Sequence, residues 1–143
     1  IPVAQAIGRW GNLFNQEDFG RPTDLPWALE IEAAHRPAAH LNASTFHPTF
    51  LYEGLWNIAL AVVLVRVERR GLLRPGYIVA LWVFGYGLGR LWVEALRSDA
   101  ASLIAGVRVN IWMALLAIVV GAVVARAGRV PPGERTGRDV VAR

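Results

Sequence analysis

The densest potential for chemistry lies in Gly8-Arg9-Trp10-Gly11-Asn12-Leu13-Phe14-Asn15-Gln16-Glu17-Asp18-Phe19-Gly20, where polar and charged residues alternate with bulky apolar ones. Arg9 carries five donors in a rigid fork, a shape that matches phosphate or carboxylate. Asn12 follows three residues later, so on a helix it shares a face with Arg9. Gly8 and Gly11 are expected to permit close backbone approach, and Gly20 to adopt a positive φ where the chain turns out. A capped helix end with solvated charges would use the same residue types. The weight therefore falls on the rest of the chain.

A second constellation reads Tyr86, Arg90, Glu94 and Arg97. At about 100° per residue these four occupy an arc of roughly 80° on one helix. They lie near the end of an apolar segment, where an arginine at bilayer depth costs about 2.5–3.5 kcal/mol on insertion scales. Such residues usually face a polar cavity; the alternative is an Arg90–Glu94 pair on one helix that snorkels to the interface. Gly85, Gly87 and Gly89 invite a close neighbouring helix and favour the interior placement. A third cluster, His47-Pro48-Thr49-Phe50-Leu51-Tyr52-Glu53, opens another apolar segment, and Pro48 suits its first turn. His47 taken alone reads as an exposed loop histidine. No His, Asp and Glu spacing resembles a metal site.

The elements that must position these residues are membrane spans. The 143 residues are 55% hydrophobic and only 18% charged, with mean hydropathy +0.37, too apolar for an ordinary soluble domain. Apolar segments run from about 49 to 65, 77 to 93 and 109 to 125, each near the short end of the roughly 17–25 residues that cross a bilayer. The expected fold is an all-α polytopic membrane protein with about three transmembrane helices and a short extracytoplasmic loop and strand segment. Residues 1–20 form the signature stretch at the membrane face, with 1–7 the end of a helix, and 21–47 an extracytoplasmic loop. Within that loop Trp27, Leu29 and Ile31 alternate with polar or small residues as one short strand. Residues 48–127 form the three-helix membrane region, and 128–143 a disordered tail.

Every one of the 15 basic residues is arginine, and the net charge is +4. In a chain with such apolar runs these charges mark a membrane face and not a nucleic-acid partner. Arg66, Arg69, Arg70 and Arg74 fall between the first two spans, and Arg126, Arg129, Arg135, Arg138 and Arg143 follow the third. If all three segments cross, both clusters share one side, which the positive-inside rule makes cytoplasmic. With no cysteine, these residues offer no disulfide, thiolate metal site or cysteine nucleophile. With an apolar start and no initiator methionine, the sequence is expected to be the C-terminal part of a longer chain.

Taken in order, Gly8-Arg9-x-Gly11-Asn12-x-Phe14-Asn15-x-Glu17-x-x-Gly20, His47-Pro48-Thr49-x-Leu51-Tyr52-Glu53 and Gly85-Tyr86-Gly87-x-x-Arg90-x-x-x-Glu94-x-x-Arg97 resemble the prolipoprotein diacylglyceryl transferases. The resemblance covers about residues 1 to 125. It departs at Leu13, where the family usually has Phe, and at Phe50, where it often has Gln. It implies a multi-pass protein of the bacterial inner membrane with its active site toward the extracytoplasmic face. Its reaction moves the diacylglyceryl group of phosphatidylglycerol to the lipobox cysteine of a preprolipoprotein, without metal or cofactor. Arg90, Glu94 and Tyr86 are then the expected catalytic residues. Arg9, Asn12, Asn15, Glu17, Arg97, His47, Tyr52 and Glu53 are expected to bind phosphatidylglycerol. The partners are that lipid, the preprolipoprotein signal peptide and the bilayer. The competing class is a non-catalytic lipid-binding or transporter fragment, which explains the spans and arginine sidedness but not the convergence of three polar clusters.

Overall fold

A computed structural model describes residues 1–97 and 102–131, and it is mostly helical. Helix α1 runs Pro2–Asn15, α2 Thr49–Arg69, α3 Ile78–Leu96 and α4 Val109–Ala127. The last three are long and apolar enough to cross a membrane, so the chain is a multi-pass membrane protein. Their outward surfaces are apolar: Leu55, Ile58 and Val62 on α2 and Trp112, Leu116, Val119 and Val123 on α4 are exposed. Polar groups lie inside instead, with Thr49, Glu53, Asn57, Glu94 and Arg97 buried. Lipid supplies the apolar solvent for such a surface.

Each boundary has a local cause. Pro2 pre-sets the first turn of α1. That helix continues through Gly8 and Gly11 to Asn15, further than the expected end at residue 7, because nothing in the stretch breaks it before Gln16. Gln16 turns left-handed at φ 49, and Glu17 N–H returns to the Asn12 carbonyl at 3.1 Å. Pro48 precedes α2, Pro75-Gly76 precedes α3, and α3 stops where Arg97 becomes extended.

The helices pack in chain order, α1 on α2, α2 on α3 and α3 on α4. Glycines decide how closely. A methyl group on Gly85 or Gly89 would strike Leu60 or Trp56 of α2, and one on Gly87 would meet the Ala114 carbonyl of α4 at 2.8 Å. On α4, Gly121 faces the Phe84 backbone nitrogen at 2.5 Å by the same measure. Thus α3 is smooth on both sides. Gly8 and Gly11 are different: no neighbour lies within 4 Å of either, so they serve no close approach among the described residues.

Two small sheets cover one end of the bundle. Strand β1 (Leu29–Glu30) pairs antiparallel with β2 (Thr45–Phe46), so the single expected strand has a partner in what reads from sequence as loop. Phe19, Ile31 and Phe46 form its core, the two rings 4.9 Å apart. A second hairpin, β3 (Leu103–Ile104) with β4 (Val107–Arg108), turns through Ala105 and Gly106, both at positive φ. At the opposite end the α2–α3 connection meets the end of α4: Arg74 N–H donates to the Gly128 carbonyl at 2.9 Å, and Val130 N–H to the Leu72 carbonyl at 3.1 Å. Val130 is buried, so the chain stays packed beyond 127, correcting the expected start of the disordered tail. Residues 132–143 of that tail lie outside the described residues. Both described arginine clusters, 66–74 and 126–129, therefore share this end.

Candidate functional site

At the end opposite the arginine clusters, three distant segments are sewn together by backbone. Gly20 N–H donates to the His47 carbonyl at 2.8 Å, His47 N–H to the Arg21 carbonyl at 3.0 Å, and Arg21 N–H to the Leu96 carbonyl at 2.8 Å. Gly20 does not have the positive φ expected of it. It is needed because a Cβ there would lie 2.8 Å from His47 Cβ and 3.0 Å from the Leu96 carbonyl. The left-handed turns fall on Gln16 and Asp18 instead.

This stitching brings charged side chains from α1, α2, α3 and the loops into one continuous ribbon. Arg97 pairs with Asp18, and Asp18 lies 3.8 Å from Arg9. Arg9 Nε pairs with Glu53, whose other oxygen is 4.0 Å from Arg90. Arg90 Nη2 is 3.1 Å from one Glu94 oxygen, and Arg108 Nε lies 2.7 Å from the other as an ion pair. Asn110 Nδ2 donates to both Glu94 oxygens at 3.3 Å. Glu94 is 1% exposed, and burying a carboxylate is costly unless cations and donors are paired with it, as they are here.

Three members of the stripe expected on α3, Arg90, Glu94 and Arg97, face inward, whereas Tyr86 is exposed although it borders the pocket, and the partners differ from the simplest reading. Glu94 holds Arg90 and Arg108, while Arg97 is held by Asp18. Arg9, Glu53, Tyr86 and Arg90 line a single pocket together with Gln5, Trp56, Asn57, Gly89 and Val93.

Other predicted residues sit apart from this ribbon or at its edge. Asn12 donates to Asp18 at 3.3 Å, which steadies the carboxylate between Arg9 and Arg97. Asn15 donates to Glu17 at 2.9 Å on the exposed side of the turn. His47 Nδ1 lies 3.2 Å from the Tyr52 hydroxyl, which also accepts from Trp27 Nε1 at 2.9 Å. Tyr52 then packs toward Trp92, and Trp92 toward Trp56, forming an aromatic wall beside the pocket. Sequence reasoning passed over Asp18, Arg108, Asn110 and Thr49, whose hydroxyl donates to the Asp18 carbonyl.

The sequence profile of the family described as prolipoprotein diacylglyceryl transferase matches residues 1–126. The phosphatidylglycerol–prolipoprotein diacylglyceryl transferase of Frankia alni is 55% identical over 125 residues, covering 87% of this chain and 32% of that protein. Enzyme 2 of that name from Streptomyces coelicolor is 49% identical over 140 residues, 96% of this chain and 44% of the relative. The Cutibacterium acnes protein is 54% identical over 124 residues, 87% of this chain and 42% of its own length. The chain therefore spans less than half the length of these curated relatives.

The buried ion pairs make a stability prediction. Glu94→Gln keeps the shape but leaves Arg90 and Arg108 short of a buried countercharge, a loss expected to cost about 3–5 kcal/mol. Arg108→Gln should also destabilise, and the double variant should fall short of the sum of the two by about 1–3 kcal/mol. Melting of the full-length variants in detergent measures this coupling; strictly additive losses would show that Glu94 and Arg108 do not act as a pair.

Proposed function

The chain belongs to the prolipoprotein diacylglyceryl transferase family, and we propose that it supplies the phosphate-holding part of the site at which phosphatidylglycerol donates its diacylglyceryl group to a prolipoprotein cysteine. One observation carries this reading: Arg9 of α1 and Arg90 of α3 line one pocket, held there by the shared carboxylate Glu53 of α2. Two guanidinium groups against one carboxylate leave the pocket walls net positive. A guanidinium fork matches phosphate oxygens and cannot be deprotonated.

The chemistry explains why fixed cations help. The lipid phosphodiester carries one negative charge. As the cysteine sulfur bonds to the glycerol carbon, the carbon–oxygen bond breaks and its electron pair leaves with the phosphate. Glycerol phosphate departs with greater negative charge than it had as a diester, and the thiol proton is released. Groups positioned beforehand where charge grows bind the transition state more tightly than the ground state. Arg9 and Arg90 face that oxygen in this scheme. Asp18, Glu53 and Glu94 fix their orientation. Tyr86, one turn from Arg90 on the same pocket wall, completes the catalytic set.

We further place the site toward the extracytoplasmic face of the bacterial inner membrane. What supports this is the gathering of Arg66, Arg69, Arg70, Arg74, Arg126 and Arg129 at the other end of the bundle. The signal peptide with its lipobox cysteine and the donor lipid then reach the pocket from the bilayer. The competing class, a non-catalytic lipid-binding or transporter fragment, is not favoured by the family match, and loss of transfer without loss of folding separates the two.

Two measurements follow. In diacylglyceryl transfer to a lipobox peptide by the full-length protein, Arg90→Ala should lower kcat by about 10²–10³-fold. Arg9→Lys, which keeps charge but loses the fork, should still impair transfer by at least about tenfold. Wild-type rates in both, or losses that only track lowered melting temperature, would make the arginines structural. For orientation, cysteines replacing Ser102 and Arg70 in a cysteine-free background are exposed to a membrane-impermeant thiol reagent on intact cells. Labelling at 102 and protection at 70 are expected; the reverse pattern inverts the topology.

A further inference from the structure

The ion pairs account for the charged groups of the pocket but not for two of its neutral ones. Asn57 lies one turn beyond Glu53 on α2, is 6% exposed, and its Oδ1 is buried with no hydrogen-bond partner among the described residues. Gln5 lies one turn before Arg9 on α1, and its Oε1 is buried and unpartnered in the same sense. Both residues line the pocket that holds Arg9, Glu53 and Arg90. The two helices thus present their charged groups in one layer and these amides one turn, about 5.4 Å, further along. Two turns of different helices repeat the same order, charge then amide.

Buried amide oxygens are expensive to leave unpaired, so two of them at one place point to a donor that meets them. The donor's chemistry is restricted by what surrounds it. An ammonium group would be repelled by the two guanidinium groups that outnumber Glu53. A carboxylate or phosphodiester oxygen carries no proton to give to them. A neutral hydroxyl fits, because it can give its proton to an amide oxygen without bringing charge.

We propose that Gln5 and Asn57 form a hydroxyl-accepting subsite that takes a terminal hydroxyl of a polyol headgroup while Arg9 and Arg90 hold its phosphate. This rests on the phosphatidylglycerol reading above and deepens it. Gln5 and Asn57 are then positioning residues that select the donor lipid by its headgroup hydroxyls. A site built to pair with a hydroxyl discriminates strongly against an analogue that lacks it, because the analogue strands the buried acceptors. The apolar variants Asn57→Leu and Gln5→Met remove the acceptors and with them the reason to discriminate.

The test is a competition in mixed micelles with the full-length protein. Transfer from labelled phosphatidylglycerol is inhibited either by unlabelled phosphatidylglycerol or by phosphatidylpropanol, whose headgroup has no hydroxyl. For the unmodified protein, half-inhibition should need at least about tenfold more phosphatidylpropanol than phosphatidylglycerol. Asn57→Leu should bring that ratio close to one, mainly by raising KM for phosphatidylglycerol with little change in kcat. Gln5→Met, at a partly exposed position on α1, should lower the ratio in the same direction and guards against misfolding of the first variant. Two results overturn the subsite: a ratio near one in the unmodified protein, or a tenfold ratio that survives both substitutions and so leaves water as the occupant. Failure of the unmodified protein to transfer from phosphatidylglycerol at all would instead remove the functional reading on which the subsite rests.

Discussion

Glu53 is a single carboxylate at the start of a membrane span, and it faces guanidinium groups from two other helices. Its ion pair with Arg9 ties α1 to α2, and its approach to Arg90 ties α2 to α3. In a bilayer none of these charges is tolerable alone, since stranding one costs far more than a surface ion pair returns. Together they fix how the helices meet, because any rotation of α1 or α3 would separate them. The neighbouring pairs extend the same logic outward, Asp18 to Arg97 on one side and Glu94 to Arg108 on the other. Packing contributes a second constraint, because the glycine-smoothed faces of α3 bring backbones close enough for the charges to reach each other. Function draws on the same arrangement. Arginines held by carboxylates need no reorganisation when an anion arrives, which is what charge stabilisation in a transition state requires.

Much of the fold was legible because it depends on local composition. Three long apolar runs announce three membrane helices, and the observed spans agree to within a few residues with those read from hydropathy. The inward placement of Arg90, Glu94 and Arg97 on α3 was also legible, since charge at helical spacing inside an apolar run is tolerated where it faces protein or water and is costly where it faces lipid; Tyr86, the fourth residue of that stripe, is exposed. What could not be read is which charge meets which. Arg97 and Asp18 are far apart in the chain, and only the backbone bridge between Gly20 and Arg97 brings them together. Helical spacing offers Glu94 to Arg90 or Arg97, yet its shortest ion pair is to Arg108, which enters on the second hairpin. Gly20 stands out in the sequence as a turn residue, but crowding by His47 and Leu96, and not a left-handed turn, excludes a side chain there.

The site also sorts the signature residues by what they touch. Arg9 and Asn12 meet the ion-pair ribbon, while Asn15 and Glu17 bond each other at the rim of the turn. His47 and Tyr52 belong to an aromatic wall with Trp27 and Trp92, at hydrogen-bond distance from each other but outside the chain of charges. A motif that looks uniform in sequence therefore contributes to at least three tasks: holding charge, closing a turn and lining the pocket flank. Residues of no motif prominence, Gln5 and Asn57, reach the same pocket because each lies one turn from a charged residue that does.

The central claim is that the arginine pair around Glu53 receives the phosphate of the donor lipid. A structure of the full-length protein bound to phosphatidylglycerol tests it most directly. Phosphate oxygens should lie about 2.7–2.9 Å from guanidinium nitrogens of both Arg9 and Arg90, with Glu53 still between them. A phosphate seated instead on Arg97, on Arg108 or among the arginines at the opposite end of the bundle would contradict the account.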